Sequence, residues 1–143
     1  MQSYLNLILP INVISCLFMT GAIWIIQIVH YPSFNFVAEN QFQPFHHFHS
    51  RQITWIVAPT MGIELVSGLM LCYLLQGVWI FQFALILLIW LATFFISVPL
   101  HNKLGQKRDE QWIRKLIVTN WLRTLLWSLR TFLVLLTVSI RLA

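Results

Sequence analysis

Four long stretches of the chain are almost entirely apolar, with single polar residues set into them at helical spacing. They cover about residues 5–29, 53–75, 78–100 and 117–140. A helix needs about 20 apolar residues to cross the hydrocarbon core of a bilayer, and each stretch meets that length. The pattern therefore predicts four membrane-spanning helices in one transmembrane domain, residues 1–143.

The polar residues inside these stretches recur at steps of three and four, so they share one face of each helix. Polar side chains at membrane depth turn towards the interior of a bundle. The predicted inward faces comprise Asn12, Cys16, Thr20, Trp24, Gln27 and His30 or Tyr31 in the first helix, Thr60, Glu64, Ser67 and Gly68 in the second, Thr93, Ser97 and His101 in the third, and Asn120, Arg123, Trp127 and Arg130 in the fourth.

The connections predict how the helices are arranged. Gln76-Gly77 leaves room only for a tight turn, so the second and third helices are expected to be antiparallel neighbours. Pro32 is predicted to end the first helix, and residues 32–52 and 102–116 are predicted to form two long loops. The predicted fold is all-α, an integral membrane antiparallel four-helix bundle.

Composition supports a membrane location. Hydrophobic residues make up 59% of the 143 residues and charged residues 9%, whereas a soluble domain is about 25% charged. The net charge of +5 does not indicate nucleic-acid binding, because the basic residues flank the membrane spans. One side of the membrane receives Arg51, Lys103, Lys107, Arg108, Arg114 and Lys115, and the other receives Arg141 alone. Because Lys and Arg mark cytoplasmic flanks, we expect a multi-pass protein of the cell (inner) membrane with its termini outside and both long loops in the cytoplasm.

Histidines are concentrated at one predicted membrane face. His46 and His49 are three residues apart and share a helix face, from which His47 points away. Neutral imidazole binds zinc, copper and iron, so the predicted metal ligands are His30, His46, His49 and His101, with Glu64 as an additional ligand. The alternatives are haem b held between His30 and His101, use of the imidazoles without a metal, and simple interfacial histidines.

Two charged residues lie near the middle of their spans. Glu64 and Arg130 are at matching depths, and charges at that depth are expected to find partners. One interpretation is a buried ion pair that fixes the register of the bundle. The other is that Glu64 accepts a proton or binds a metal at the floor of a cavity.

Two motifs in the second half resemble a known family. Ser97-Val98-Pro99-Leu100-His101-Asn102-Lys103-Leu104 and Asn120-Trp121-Leu122-Arg123-Thr124 are similar to elements of the small integral membrane proteins grouped with fungal anthrone oxygenases. The resemblance implies a four-helix bundle that oxidises a polycyclic or phenolic substrate with O2, and roles for Asn102, Asn120 and Arg123. The chain departs from the family pattern at His101, where an asparagine is common, and in its His46-x-x-His49 pair.

These observations together predict a membrane-embedded oxidoreductase, oxygenase-like, acting on a lipophilic and in particular an aromatic substrate that enters from the lipid bilayer. Its pocket is expected on the cytoplasmic face, with Glu64, Asn120 and Arg123 as catalytic residues. The alternatives are a haem- or metal-binding protein that handles electrons or ions without turnover, and a structural or assembly subunit. Association into a homo-oligomer is a further expectation.

Overall fold

The computed structural model describes residues 2–142, including the side chains of residues 5–140. The first half of the chain forms α1 (Gln2–Ile25), a wide π-helical turn (Ile26–His30), a short α2 (Tyr31–Ser33) and a 3-10 turn (Phe34–Phe36). These follow one another without a break, so they act as one long helix. Arg141, used above to predict orientation, lies outside the described side chains.

The rest of the described chain forms three more long helical segments, one of which contains a second π-helical turn. A helix of 37 residues, α3 (Glu39–Leu75), ends at a two-residue turn in which Gln76 and Gly77 both have positive φ. After it come α4 (Val78–Ala92) and a second π-helical turn, Thr93–Ser97, followed by α5 (Val98–Gln106) and α6 (Glu110–Leu142). The predicted tight turn is confirmed.

Four helical segments in the described chain are long and apolar enough to cross a membrane. They pack as a ring in which α1 contacts α3, α3 contacts α4, α4 contacts α6, and α6 contacts α1. The predicted all-α four-helix bundle is therefore confirmed. The four segments are Leu5–Phe36, Glu39–Leu75, Val78–Gln106 and Glu110–Ile140.

The bundle exposes large apolar side chains on its outer surface. Trp55, Tyr73, Phe95 and Phe132 are between 64% and 80% exposed. A water-soluble protein rarely leaves so much contiguous apolar surface uncovered. The interior, by contrast, contains most of the polar residues of the predicted stripes, including Asn12, Gln27, Glu64, Asn120, Arg123 and Arg130. This inverted arrangement suits a protein surrounded by lipid.

The prediction of two long loops is wrong over most of their length. Residues 39–52 form the first turns of α3, and the chain between the first and second spans leaves helical geometry only at Val37 and Ala38. Likewise, only residues 107–109 separate α5 from α6. These segments are amphipathic rather than uniformly apolar: Phe42, His46 and His49 are buried at helical spacing while their neighbours face outwards. A length-and-hydropathy rule therefore misses them.

Candidate functional site

Two π-helical turns position the side chains at one end of the bundle. The Tyr31 N–H donates to the Ile26 carbonyl, and the Val98 N–H donates to the Thr93 carbonyl, each five residues back. A proline follows each turn, and proline has no N–H and clashes with the carbonyl four residues earlier. The wider turn accommodates the ring, so the first helix continues past Pro32 instead of ending there. Such turns are frequent at functional sites.

Four of the five histidines meet at this end of the bundle. Nε2 of His46 lies 3.1 Å from Nδ1 of His101, and the rings of His30 and His49 are 4.1 Å apart between centroids. The rings of His49 and His101 are 5.8 Å apart, which joins the two pairs. We call this group, formed by His30, His46, His49 and His101, the imidazole cluster.

The predicted split within the histidine run is confirmed. His46 and His49 are buried, whereas His47 is exposed. Phenylalanines pack against the cluster: the Phe34 ring lies 5.3 Å from that of His49, and the Phe42 ring is stacked 5.8 Å from that of His46. Both phenylalanines are fully buried, and His46 and His49 are buried as well, whereas His30 and His101 are half-buried.

Tyr31 extends the cluster by one hydrogen bond. Its hydroxyl lies 3.0 Å from Nε2 of His101, and the residue is only 3% exposed. A tyrosine at the end of a span is usually an interfacial anchor, so its role was not predicted from sequence. The sequence signal for a place inside the bundle is that Tyr31 lies at the end of the polar stripe of the first helix. The three residues Tyr31, His101 and His46 therefore form a continuous chain of hydrogen bonds.

Three buried imidazole nitrogens in the cluster have no hydrogen-bond partner within the described chain: Nε2 of His30, Nδ1 of His46 and Nε2 of His49. Buried polar groups are nearly always paired in proteins, and exceptions often mark functional positions. These nitrogens have the chemistry to bind a metal, a ligand or a proton. Even so, no three His, Cys, Asp or Glu side chains among the described residues are arranged to hold a metal ion.

Haem does not fit this arrangement. Both ring nitrogens of His101 are engaged, one with Tyr31 and one with His46. A haem iron between His30 and His101 would have to displace one of those partners. The four rings also pack directly on one another, which leaves no space for a macrocycle between them.

A cavity of about 330 Å³ opens beside the imidazole cluster, between α3 and the helix formed by α4 and α5. We call it the lateral cavity, because exposed residues of the outer bundle surface border it: Thr54 and Ala58 on one side, Phe94 and Val98 on the other. Its size suits a small organic ligand. Apolar walls surround a few polar residues, which are Tyr31, Ser50, Thr54, Thr93, Ser97, His101, Asn102 and Arg123.

Arg123 is the charged group of the lateral cavity. The residue is 6% exposed, and its Nη1 donates to Ser97 Oγ and to Asn120 Oδ1, both at 3.2 Å. Its guanidinium lies over the Trp127 ring at 5.3 Å. Asn120 in turn donates to Gln27 Oε1 at 2.8 Å. Asn120 therefore holds Arg123 in place without lining the cavity itself.

Glu64 belongs to a separate group deeper in the bundle. Its carboxylate accepts hydrogen bonds from Arg130 Nη1 and from Trp127 Nε1, the latter at 3.1 Å. Arg130 Nη2 also donates to Asn12 Oδ1 at 2.8 Å, and Asn12 Nδ2 donates to Ser67 Oγ at 2.8 Å. We call Asn12, Glu64, Ser67, Trp127 and Arg130 the carboxylate cluster. The predicted Glu64–Arg130 ion pair is confirmed.

The two clusters lie at different depths. Glu64 follows His49 by 15 residues along α3, which is about 22 Å at the rise of an α-helix. Glu64 therefore does not reach the imidazoles as a metal ligand in this structure, and it does not line the lateral cavity. Its role as a catalytic residue finds no support in its position.

Comparisons of the chain with models of known protein families, with curated proteins and with solved structures gave no match. The resemblance to the anthrone oxygenase group stays a prediction.

Proposed function

We propose that this chain is a membrane-embedded oxidoreductase, oxygenase-like, that acts on a lipophilic and in particular an aromatic substrate in the lateral cavity. The main support is the hydrogen-bond chain Tyr31–His101–His46, which begins at the cavity wall and ends inside the imidazole cluster. It connects a place where a small molecule fits with groups that accept and pass on protons.

One set of tautomers satisfies the whole chain. The Tyr31 hydroxyl donates to Nε2 of His101, and Nδ1–H of His101 donates to Nε2 of His46. When the Tyr31 oxygen takes up a proton, its own proton passes to Nε2 of His101, and the Nδ1 proton of His101 passes to Nε2 of His46. Tyr31 and His101 each gain one proton and give up another, whereas His46 keeps the proton it gains and becomes an imidazolium, so no heavy atom has to move. A base built this way can act on a substrate in the cavity while the proton is held on His46, inside the imidazole cluster.

The oxidation proposed here balances with O2 as the only co-reactant. A CH2 group next to an aromatic ring loses a proton to the Tyr31–His101 chain, and the electron-rich carbanion reacts with O2. Overall, CH2 and O2 give C=O and H2O. Arg123, at the cavity wall, stabilises the negative charge that develops on the substrate. Asn120 positions Arg123, and Asn102 lines the cavity.

A metal-assisted version is the second candidate. The three unpaired nitrogens of His30, His46 and His49 favour it. A transition metal, iron, copper or zinc, bound by these imidazoles would supply redox or Lewis-acid chemistry. Metal analysis of the purified protein, repeated with His49→Ala, distinguishes the versions: a stoichiometric metal lost in the variant supports this one. Protein without a stoichiometric metal that stays active in chelator contradicts it.

We further propose that the imidazole cluster faces the cytoplasm and that the protein resides in the cell (inner) membrane. The support is the distribution of basic residues, since Lys103, Lys107, Arg114 and Lys115 flank the bundle at that end. Labelling of single cysteines placed at 47 and 77 from each side of the membrane tests this orientation. Homo-oligomerisation stays a prediction.

Oxygen uptake by the purified protein in liposomes tests the function. Anthrone is a suitable probe, because its CH2 group lies between two aromatic rings. We expect uptake well above that of protein-free liposomes, with one carbonyl product formed per O2, and loss of the excess in His101→Phe. If wild-type protein adds nothing to the background rate with anthrone or other aromatic carbon acids, the proposed oxidation is wrong. That result would favour the alternative that the chain is a structural or assembly subunit.

A further inference from the structure

Of the described side chains, two arginines, Arg123 and Arg130, are buried in the bundle, and only Arg130 is paired with a carboxylate. The chain contains only four Asp and Glu residues, and each has another place. Glu64 pairs with Arg130, Glu110 pairs with Arg108, Asp109 accepts the N–H groups of Gln111 and Trp112, and Glu39 is exposed at the start of α3. Among the side chains of residues 5–140, no carboxylate therefore pairs with Arg123.

Arg123 is nevertheless buried in a bundle that spans a membrane. An ionised side chain at such a place is costly unless a partner offsets its charge. The hydrogen bonds to Ser97 and Asn120 come from one nitrogen, Nη1, and both acceptors are neutral. The Trp127 ring adds a cation–π contact on one face. These contacts orient the guanidinium but leave its positive charge uncompensated.

Arg130 is a buried arginine of the same bundle whose positive charge is compensated. It lies seven residues further along α6, about 10 Å from Arg123, on the same helix face. Its guanidinium binds the Glu64 carboxylate and the Asn12 side-chain oxygen. The difference between the two arginines is that Arg123 borders the lateral cavity and Arg130 does not.

We propose that the ligand of the lateral cavity is an acidic lipophile, bound as an anion with its charged oxygen paired with Arg123. The apolar walls, which include Ile53, Val57 and Trp90, receive the hydrophobic body. Tyr31 and His101 lie at the same inner wall and contact the group next to the charge. The ligand thus does for Arg123 what Glu64 does for Arg130.

This inference rests on the proposed function only because both concern the lateral cavity. If both are right, the substrate belongs to the class of lipophilic molecules that ionise. The anionic oxygen has two sources: a carboxylate on an alkyl chain, or a phenolate or enolate on an aromatic body. Both offer a charged oxygen to a guanidinium. The size of the cavity and its apolar walls accept either.

Equilibrium binding to the full-length protein in detergent micelles or nanodiscs tests the inference. The first arm uses a fluorescent polyene fatty acid and its methyl ester. The second uses an alkylated hydroxynaphthoquinone, which ionises at neutral pH, and its methyl ether. In at least one arm, the acid should bind about tenfold to a hundredfold more tightly than its neutral partner, the range expected for a charge-assisted hydrogen bond. The arm that shows the preference identifies the source of the oxygen.

Variants locate the preference at Arg123. Arg123→Gln should reduce the acid-to-neutral ratio to about one, and Arg123→Lys, which keeps the charge, should retain part of it. Arg114→Gln is the matched control, because Arg114 is exposed on the same helix. Its ratio should equal that of the wild type.

Two results overturn the inference: equal binding of acid and neutral partner to the wild type in both arms, or a preference that survives in Arg123→Gln. The first needs no variant, so it holds even if Arg123→Gln fails to fold. A charge preference at Arg123 without oxygen uptake would support the ligand class and contradict the oxidation. Uptake of O2 without the charge preference would support the oxidation and contradict the ligand class.

Discussion

The carboxylate cluster and the lateral cavity each contain one buried arginine of α6, and they differ in how its charge is met. In the carboxylate cluster Arg130 binds Glu64 and Asn12, and neighbouring polar groups such as Ser67 and Trp127 are hydrogen-bonded as well. At the lateral cavity Arg123 has only neutral hydrogen-bond partners. Within the described part of the chain, Nε has no hydrogen-bond partner in either arginine, so the difference between them is the carboxylate. A buried arginine paired with a carboxylate indicates a structural role, whereas one beside a cavity without a carboxylate indicates a binding site.

The largest expected effect is on the carboxylate cluster. Glu64→Gln leaves Arg130 buried without a counter-charge, which should lower the free energy of unfolding by about 3–5 kcal/mol. Unfolding in mixed detergent followed by circular dichroism measures the change. The double variant Glu64→Leu with Arg130→Met removes both charges and should recover most of the loss. If Glu64→Gln alone is neutral, the ion pair does not stabilise the bundle.

His101→Phe should have the largest effect on activity, because it removes the middle member of the hydrogen-bond chain. We expect oxygen uptake with anthrone to fall by about 10²–10⁴-fold, the range for loss of a positioned acid–base group. The free energy of unfolding should change far less than in Glu64→Gln. A variant that folds normally and keeps more than half of its activity would contradict the role of His101.

Tyr31→Phe keeps the aromatic ring and removes only the hydroxyl. The remaining His101 still borders the cavity, so we expect a smaller loss of oxygen uptake, about tenfold to a hundredfold, as for one hydrogen bond to a charged group. A solvent deuterium isotope effect on the rate should shrink in the variant if the hydroxyl passes on a proton. An unchanged isotope effect would place Tyr31 outside the proton path.

The smallest effect is expected at the exposed histidine. His47→Ala should leave both activity and stability unchanged, because His47 is exposed and is not part of the hydrogen-bond chain. His46→Ala, one residue earlier, removes the end of the hydrogen-bond chain and should lower oxygen uptake by about tenfold, the effect of one lost hydrogen bond. Measured side by side, the two variants test whether burial on the inward helix face, rather than closeness in sequence to the cluster, determines the loss of oxygen uptake.

Much of the fold follows from local patterns. Apolar length gave the four spans, and three- and four-residue spacing placed Asn12, Glu64, Arg123 and Arg130 inside the bundle. The same rule separated His46 and His49 from His47. These features depend only on the period of the helix, which a sequence displays directly.

The site itself was only partly visible in the sequence. The lateral cavity results from how α3 packs against α4 and α5, and no local pattern reports a gap between two helices. The π-helical turns before Pro32 and Pro99 bring Tyr31 and Ser97 to the site, but a proline in an apolar stretch is as typical of a helix end. The burial of Tyr31 likewise depends on the His101 imidazole, which packs against its ring.

The free energy of unfolding, measured with and without the acidic probe, tests the central claim most directly. At a probe concentration of 100 Kd, the wild type should gain about 2.7 kcal/mol. Arg130→Gln should lose intrinsic stability and keep that gain, whereas Arg123→Gln should keep its intrinsic stability and lose the gain. If both variants change the same quantity, the division between a structural and a ligand-binding arginine is wrong.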